Sequence, residues 1–183
     1  MLYFITGNRN KFREAQLIVG RNFQQLDMDL PEIQEINAEK IIAAKLAEAS
    51  KYKKGEFLVD DVSLYLDCLG GKLPGPLVKW FLSSIGEKGI YQIAKNSENY
   101  NCQVKVVLGY KDKKGQVRYF DVVESGRVVC PRGKSGFGWD RIFQPLNSFK
   151  TYAQMTSEER TKNKIRFKAL RKFKKYLDKN EKI

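Results

Sequence analysis

The chain has 183 residues, with 34 Lys+Arg against 21 Asp+Glu and no histidine. Without imidazole there is no Ser-His-Asp or Cys-His catalysis, no His-ligated zinc and no histidine pH switch, so any chemistry must use carboxylates, lysine, hydroxyls or a borrowed metal. The net charge of +13 is concentrated at the end of the chain: Arg160 to Ile183 holds eleven basic and two acidic residues, either the footprint of a nucleic-acid or phosphate partner or a solvated helix face.

Leu2 to Thr6 reads as a strand that turns at Gly7-Asn8 into a helix over Lys11–Val19, with Phe12, Ala15, Leu17, Ile18 and Val19 as its apolar residues. Asn22–Met28 is a second strand candidate, followed by a loop around Pro31. Asn37 caps a helix running to about Lys51, and Phe57–Val59 is a buried strand ending at Asp60-Asp61. Leu64–Leu69 reads as a further strand and Gly70–Pro76 as a structured turn. Helices are expected over Leu77–Ile85 and Lys88–Lys95. Asn101–Tyr110 and Val117–Glu124 form a hairpin through Asp112-Lys113-Lys114-Gly115, and Arg127–Cys130 is another strand. The last helix starts at Thr156, with Glu159 completing a capping box, and buries Ala169, Phe173 and Leu177.

This order predicts one α/β domain with a mixed sheet over 1–183, with no linker between independent domains and a basic C-terminal helix over 160–183. Cys68, Cys102 and Cys130 are odd in number and form no CxxC pair, which argues against a disulfide framework or a cysteine zinc site and for reduced thiols in the cytoplasm. The N-terminal residues lack a signal peptide's basic and apolar regions, and no stretch approaches the ~20 apolar residues of a membrane span.

Three constellations could carry chemistry. Thr6-Gly7-Asn8-Arg9-Asn10-Lys11 places backbone N–H groups, a helix N-terminus and a lysine together, which suits a phosphate; the same residues also make an ordinary strand-to-helix turn. Glu32, Asp60 and Asp61 supply hard oxygen ligands suited to Mg²⁺, or are solvated loop acids. Ser135-Gly136-Phe137-Gly138-Trp139-Asp140 offers two flat rings on a glycine-rich turn, either to stack a nucleobase or to pack into the core.

Taken in order, Thr6-Gly7-Asn8-x-x-Lys11, Asp60-Asp61, Leu69-Gly70-Gly71, Leu73-Pro74-Gly75-Pro76 with Lys79-Trp80-Phe81, Pro131-Arg132-Gly133, Gly138-Trp139-Asp140 and Thr151-Tyr152-Ala153-x-Met155 resemble the inosine triphosphate pyrophosphatase family, and its eukaryotic type more than the bacterial. The resemblance spans Leu2 to about Phe173. It implies an elongated mixed sheet with helices in two lobes, a substrate cleft between them, and a homodimer. It also implies Mg²⁺-dependent hydrolysis of ITP, dITP or XTP to the monophosphate and pyrophosphate, with Mn²⁺ as an alternative metal. By that similarity Glu32 and Asp60 go to the metal and Asp61 to the attacking water or the metal. Thr6, Asn8, Lys11 and Lys45 go to the phosphates, and Phe137, Trp139, Asp140 and Arg166 to the base.

Two departures stand out. The family's usual Glu-Asp-Thr/Ser is Asp60-Asp61-Val62 here, shortening one acid by a methylene, and its usual Ser-His-Arg is Lys164-Ile165-Arg166. In one account Lys164 is solvent-exposed, Ile165 continues the apolar face and Arg166 suffices to read the base. In the other Lys164 reaches the base or phosphates and the substrate range has shifted. A catalytically weak nucleotide- or nucleic-acid-binding protein is the alternative from another class, suggested by the basic tail.

Overall fold

The structure, a computed structural model, describes residues 1–20, 23–28, 30 and 33–180. In chain order the elements are β1 (Leu2–Ile5), α1 (Arg9–Val19), β2 (Phe23–Leu26), α2 (Ala38–Tyr52), β3 (Glu56–Leu66), β4 (Pro74–Gly75), α3 (Val78–Ser84), α4 (Gly86–Asn96), β5 (Asn101–Lys111), β6 (Val117–Val128), β7 (Phe143–Pro145), α5 (Ser157–Asn163) and α6 (Ile165–Asn180). The strands follow the order β2-β1-β3-β5-β6-β7, with β4 on β3. β1 runs parallel to both β2 and β3, whereas β4 is antiparallel to β3 and β7 to β6. This is the mixed α/β sheet expected from the sequence. Among the described residues no helix is long and apolar enough to cross a membrane.

The chain divides into two compact units: residues 1–61, 106–122 and 166–183 make the first, and 62–105 with 123–165 the second. In the first, α2 packs its Ile42, Leu46 and Ala49 on Ile5, Phe57, Val59 and Val107. Asn37 starts that helix by accepting the N–H groups of Glu39 and Lys40 at 2.9 and 3.3 Å, which satisfies two of its orphan donors. The close approach of α2 to β5 requires Gly109, where an added Cβ would lie 2.1 Å from Ile42 Cγ2. Tyr110, Phe120, Phe173 and Tyr176 form a second apolar group, with ring centroids 5.2 to 5.9 Å apart, that docks α6.

In the second unit Trp139, Phe143 and Tyr152 meet at centroid distances of 5.2 to 6.0 Å. The Phe143 ring lies against Gly126, where a Cβ would fall 2.4 Å from it. Thr156 and Glu159 exchange the reciprocal bonds of the expected capping box at the start of α5.

Three expectations are corrected. Asp60 and Asp61 do not end a strand: β3 runs through them to Leu66, merging the two segments expected there. Residues 57 to 61 are all buried, so this part of the strand is covered on both faces and the period-two pattern is lost. Arg127 and Val128 belong to β6, which passes through Gly126 without a break. The final helix is two helices, because Lys164 adopts extended backbone (φ −63°, ψ 132°) between α5 and α6.

Candidate active site

The first unit contains Thr6, Asn8, Lys11, Lys45, Asp60, Asp61 and Arg166, and the second contains Phe137, Trp139, Asp140 and Lys164. Glu32 lies outside the described residues.

The Thr6–Lys11 segment is a built helix start. Thr6 Oγ1 accepts the Asn8 N–H at 3.1 Å, and Asn8 Oδ1 accepts those of Asn10 and Lys11 at 2.9 and 3.2 Å. Gln25 Nε2 donates to the Thr6 carbonyl at 2.7 Å, and the Thr6 N–H donates to the Leu26 carbonyl, which ties the turn to β2. One turn into α1, Lys11 Nζ donates to Asp60 Oδ1 at 2.9 Å.

The other oxygen of Asp60 faces Arg166. Nε of Arg166 lies 3.2 Å from Asp60 Oδ2, an ion pair without the alignment of a hydrogen bond. Arg166 Nη1 then donates to Glu14 Oε2 at 2.8 Å. Four charges of alternating sign, Lys11, Asp60, Arg166 and Glu14, thus link α1, β3 and α6. Burial by itself would raise the Asp60 pKa, but Lys11 and Arg166, with a smaller contribution from Lys45, outweigh it and hold the carboxyl below its ordinary value. Burial also lowers the Lys11 ammonium, with Asp60 opposing that shift and Arg166 adding to it.

Glu14 is the member that sequence reading missed. Three residues after Lys11 on α1, it falls on the same helix face, and that spacing was the available signal; its partner 152 positions away had none.

Among the described residues no three acids are grouped closely enough to hold a metal ion. Asp60 has one oxygen on Lys11 and the other facing Arg166, and Asp61, the next residue on β3, is buried as well. Hard carboxylate oxygens suit Mg²⁺ or Mn²⁺, and one or two such groups with substrate phosphates and waters are the usual Mg²⁺ set. Asp60 and Asp61 are carboxylates, the donor type such a cation takes.

In the second unit the glycine-rich turn closes on Asp140. Its Oδ2 accepts the Phe137 N–H at 3.0 Å and Lys164 Nζ at 2.8 Å. Lys164 is 3% exposed, which overturns the solvent-exposed account of this residue. Its ammonium sits 4.3 Å from the Phe137 ring centroid, and Phe137 is half-buried. Trp139 is in the aromatic core beside Phe143 and Tyr152, and Ile165 is fully buried. Tyr152 anchors the junction between α5 and α6: its hydroxyl donates to Glu124 at 2.9 Å and accepts the Ile165 N–H at 3.2 Å.

Comparison with known proteins places this geometry in context. The sequence profile of the Ham1 family matches residues 2–176. An inosine triphosphate pyrophosphatase of Schizosaccharomyces pombe is 38% identical over 97% of this chain and 95% of its own length. A protein of the same description from Saccharomyces cerevisiae is 33% identical over 98% and 97%. Among solved structures, the Staphylococcus aureus Ham1 protein superposes with a TM-score of 0.83 at 20% identity, covering 98% of this chain and 100% of that one. A HAM1 protein from Coxiella burnetii gives 0.82, also at 20% identity and the same coverage; at such identity these two speak for the fold.

Proposed function

This chain belongs to the Ham1 family, and from that premise we propose that it is a nucleoside triphosphate pyrophosphatase acting on inosine triphosphate and on the related dITP and XTP. The observation that carries the reading is the similarity to inosine triphosphate pyrophosphatases at 33–38% identity over nearly the whole chain. The reaction adds water across the bond between the α- and β-phosphates: the water oxygen joins the α-phosphorus, pyrophosphate leaves, and the nucleoside monophosphate remains.

The side chains support such a step. The α1 N-terminus, with Thr6 and Asn8 organising its amides and Lys11 one turn in, suits the triphosphate oxygens. Lys11 is held ready by Asp60, and an incoming phosphate offers it a second anion. Lys45, whose charge is felt at Asp60, adds a further cation on α2. Asp61 orients or deprotonates the attacking water. By the resemblance Glu32, Asp60 and Asp61 would hold Mg²⁺ or Mn²⁺, which would supply charge neutralisation on the phosphates and water. Phe137 and Asp140 meet the base, Trp139 supports them from the core, and Arg166 acts through its pairing with Asp60 and Glu14. The resemblance supports a homodimer, and three thiols without disulfides suit the reducing cytoplasm.

The test is pyrophosphate release from ITP, XTP and dATP with Mg²⁺ and with excess EDTA. Release from ITP that EDTA abolishes is expected; no release from any purine triphosphate would refute the function, and release untouched by EDTA the metal. Asp61→Asn is expected to lower kcat by at least a hundredfold while the circular dichroism spectrum stays native. An active Asp61→Asn enzyme removes Asp61 from that role.

A further inference from the structure

Lys164 is an unusual residue to find inside a protein. It interrupts two helices in extended conformation, and its N–H donates to the Arg160 carbonyl at 2.8 Å. Its side chain is 4% exposed and ends 2.8 Å from Asp140 Oδ2, a carboxylate that is itself 3% exposed. Removing two such charges from water costs several kcal/mol apiece, and apolar residues of similar volume commonly match or exceed the pair in stability. Stability is therefore a poor reason for the chain to hold an ammonium there.

The geometry around Asp140 gives a better one. The two donors to this carboxylate converge on one oxygen: Oδ2 takes Lys164 Nζ and the Phe137 amide. Among the described residues, Oδ1 takes no hydrogen bond. Gly136, at φ +86°, presses so close to Asp140 that an added Cβ would lie 2.4 Å from Oδ2, which leaves the carboxylate little room to turn. The Asp140 carbonyl in turn accepts the Ala153 N–H at 3.0 Å, and Ser135 Oγ donates to the Ala153 carbonyl at 2.7 Å. Both ends of the 135–140 turn are thereby fastened, and Lys164 also covers one face of the Phe137 ring at 4.3 Å. The ammonium clamps the ring and the carboxylate as one unit.

We propose that Lys164 is a positioning residue for base selection: by clamping Asp140 through Oδ2 it presents Oδ1 as a fixed, acceptor-only group that favours nucleobases offering a donor N–H and disfavours bases without one. Lys164 acts through Asp140 and does not touch the base. This rests on the pyrophosphatase reading above, in which Asp140 meets the base. With Lys164 Nζ and the Phe137 N–H both donating to Oδ2, the carboxylate faces the base as an acceptor, so a base presenting only acceptors leaves it unpaired, the kind of mismatch that a polar site rejects by orders of magnitude.

The discriminating ligands are ITP, whose N1–H is a donor, and purine riboside triphosphate, whose six-membered ring carries none. The wild-type enzyme is expected to prefer ITP by about a hundredfold in kcat/KM. Lys164→Met is expected to cut that preference at least tenfold, mostly through KM for ITP. Lys164→Gln, whose amide can still donate to Oδ2, is expected to retain more of the preference and to fold where the methionine variant does not. A wild-type preference below threefold overturns the proposal, as does a folded Lys164→Met enzyme that keeps the wild-type ratio or a folded Lys164→Gln enzyme whose ratio is no closer to wild type than that of Lys164→Met. Failure of both variants to fold assigns the pair a structural role and overturns it too. If the wild type releases no pyrophosphate from ITP, the function reading fails instead. Calorimetric binding of inosine and purine riboside monophosphates to the same proteins then reads the clamp alone, and equal affinities in the wild type overturn it.

Discussion

Arg166→Met tests the charge alternation that joins α1, β3 and α6. The substitution preserves most of the buried aliphatic volume but removes the cation that faces Asp60 Oδ2 at 3.2 Å and Glu14 Oε2 at 2.8 Å. Asp60, with a side chain only 2% exposed, keeps Lys11 as its remaining close cation. Breaking a buried pair from one side costs about 3–5 kcal/mol, and the surviving Lys11 contact puts this case near about 3 kcal/mol at neutral pH. For a chain of this length that lowers the melting temperature by roughly 6–12 °C and the urea midpoint by about 1 M. The effect carries a pH signature. In the wild type the folded pKa of Asp60 lies below its unfolded value, so its stabilising contribution is complete above the unfolded pKa of about 3.9 and is lost as pH falls through the lower folded value. Removing Arg166 raises the folded pKa, so the variant protonates Asp60 earlier and sheds the uncompensated charge. The gap between wild type and variant should narrow between pH 7 and pH 4.5. Urea unfolding at both pH values checks this; a gap under 0.5 kcal/mol at pH 7, or one that does not change with pH, would refute the assignment of Arg166 as the counter-ion of Asp60.

Two further outcomes follow from packing and burial. Gly109→Ala forces a methyl to within 2.1 Å of Ile42 Cγ2 and should cost about 2–3 kcal/mol; adding Ile42→Ala should relieve part of it, and strictly additive losses in denaturant unfolding would show that the two positions do not compete for that space. Burial pushes the Cys102 thiol up to about 12, whereas Cys130 is exposed. At pH 8 a thiol reagent should therefore modify Cys130 in the native protein and Cys102 only after unfolding, as mass mapping of the labelled peptides will show.

The α2 start was legible because Asn37 announces itself through a local rule, a capping side chain followed by apolar residues at helical spacing, and the turn at Gly7-Asn8 brought the expected start of α1, Lys11, within two residues of Arg9. The hairpin at Asp112–Gly115 and the capping box at Thr156–Glu159 are equally local. What escaped was non-local. Nothing near Asp60 and Asp61 says that a strand can run through two carboxylates, because the charge that permits it comes from Lys11 and Arg166, 49 residues before and 106 residues after Asp60 in the chain. The break at Lys164 was hidden for the same reason: the residues on either side have good helical pattern, and the extended backbone is rewarded by distant groups such as Asp140 and the Tyr152 hydroxyl on Ile165. β7, three residues long, is shorter than any periodicity can report. The candidate site was readable as a set of residue types, while its pairing was a product of the fold.

The passage of β3 through Asp60 and Asp61 bears on how such a protein can change over generations. A loop absorbs an inserted or deleted residue, but in a paired strand a shift of one position turns every following side chain to the opposite face. On β3 that would aim Phe57 or Leu64, both at most 1% exposed, and the acids with them, at neighbours that pack against other side chains. The acid pair is therefore bound to the strand's register and open only to substitution, as with one methylene more or less. The turn at 133–140 and the junction at Lys164 are bound by no such register, so novelty in what the protein accepts has its room there.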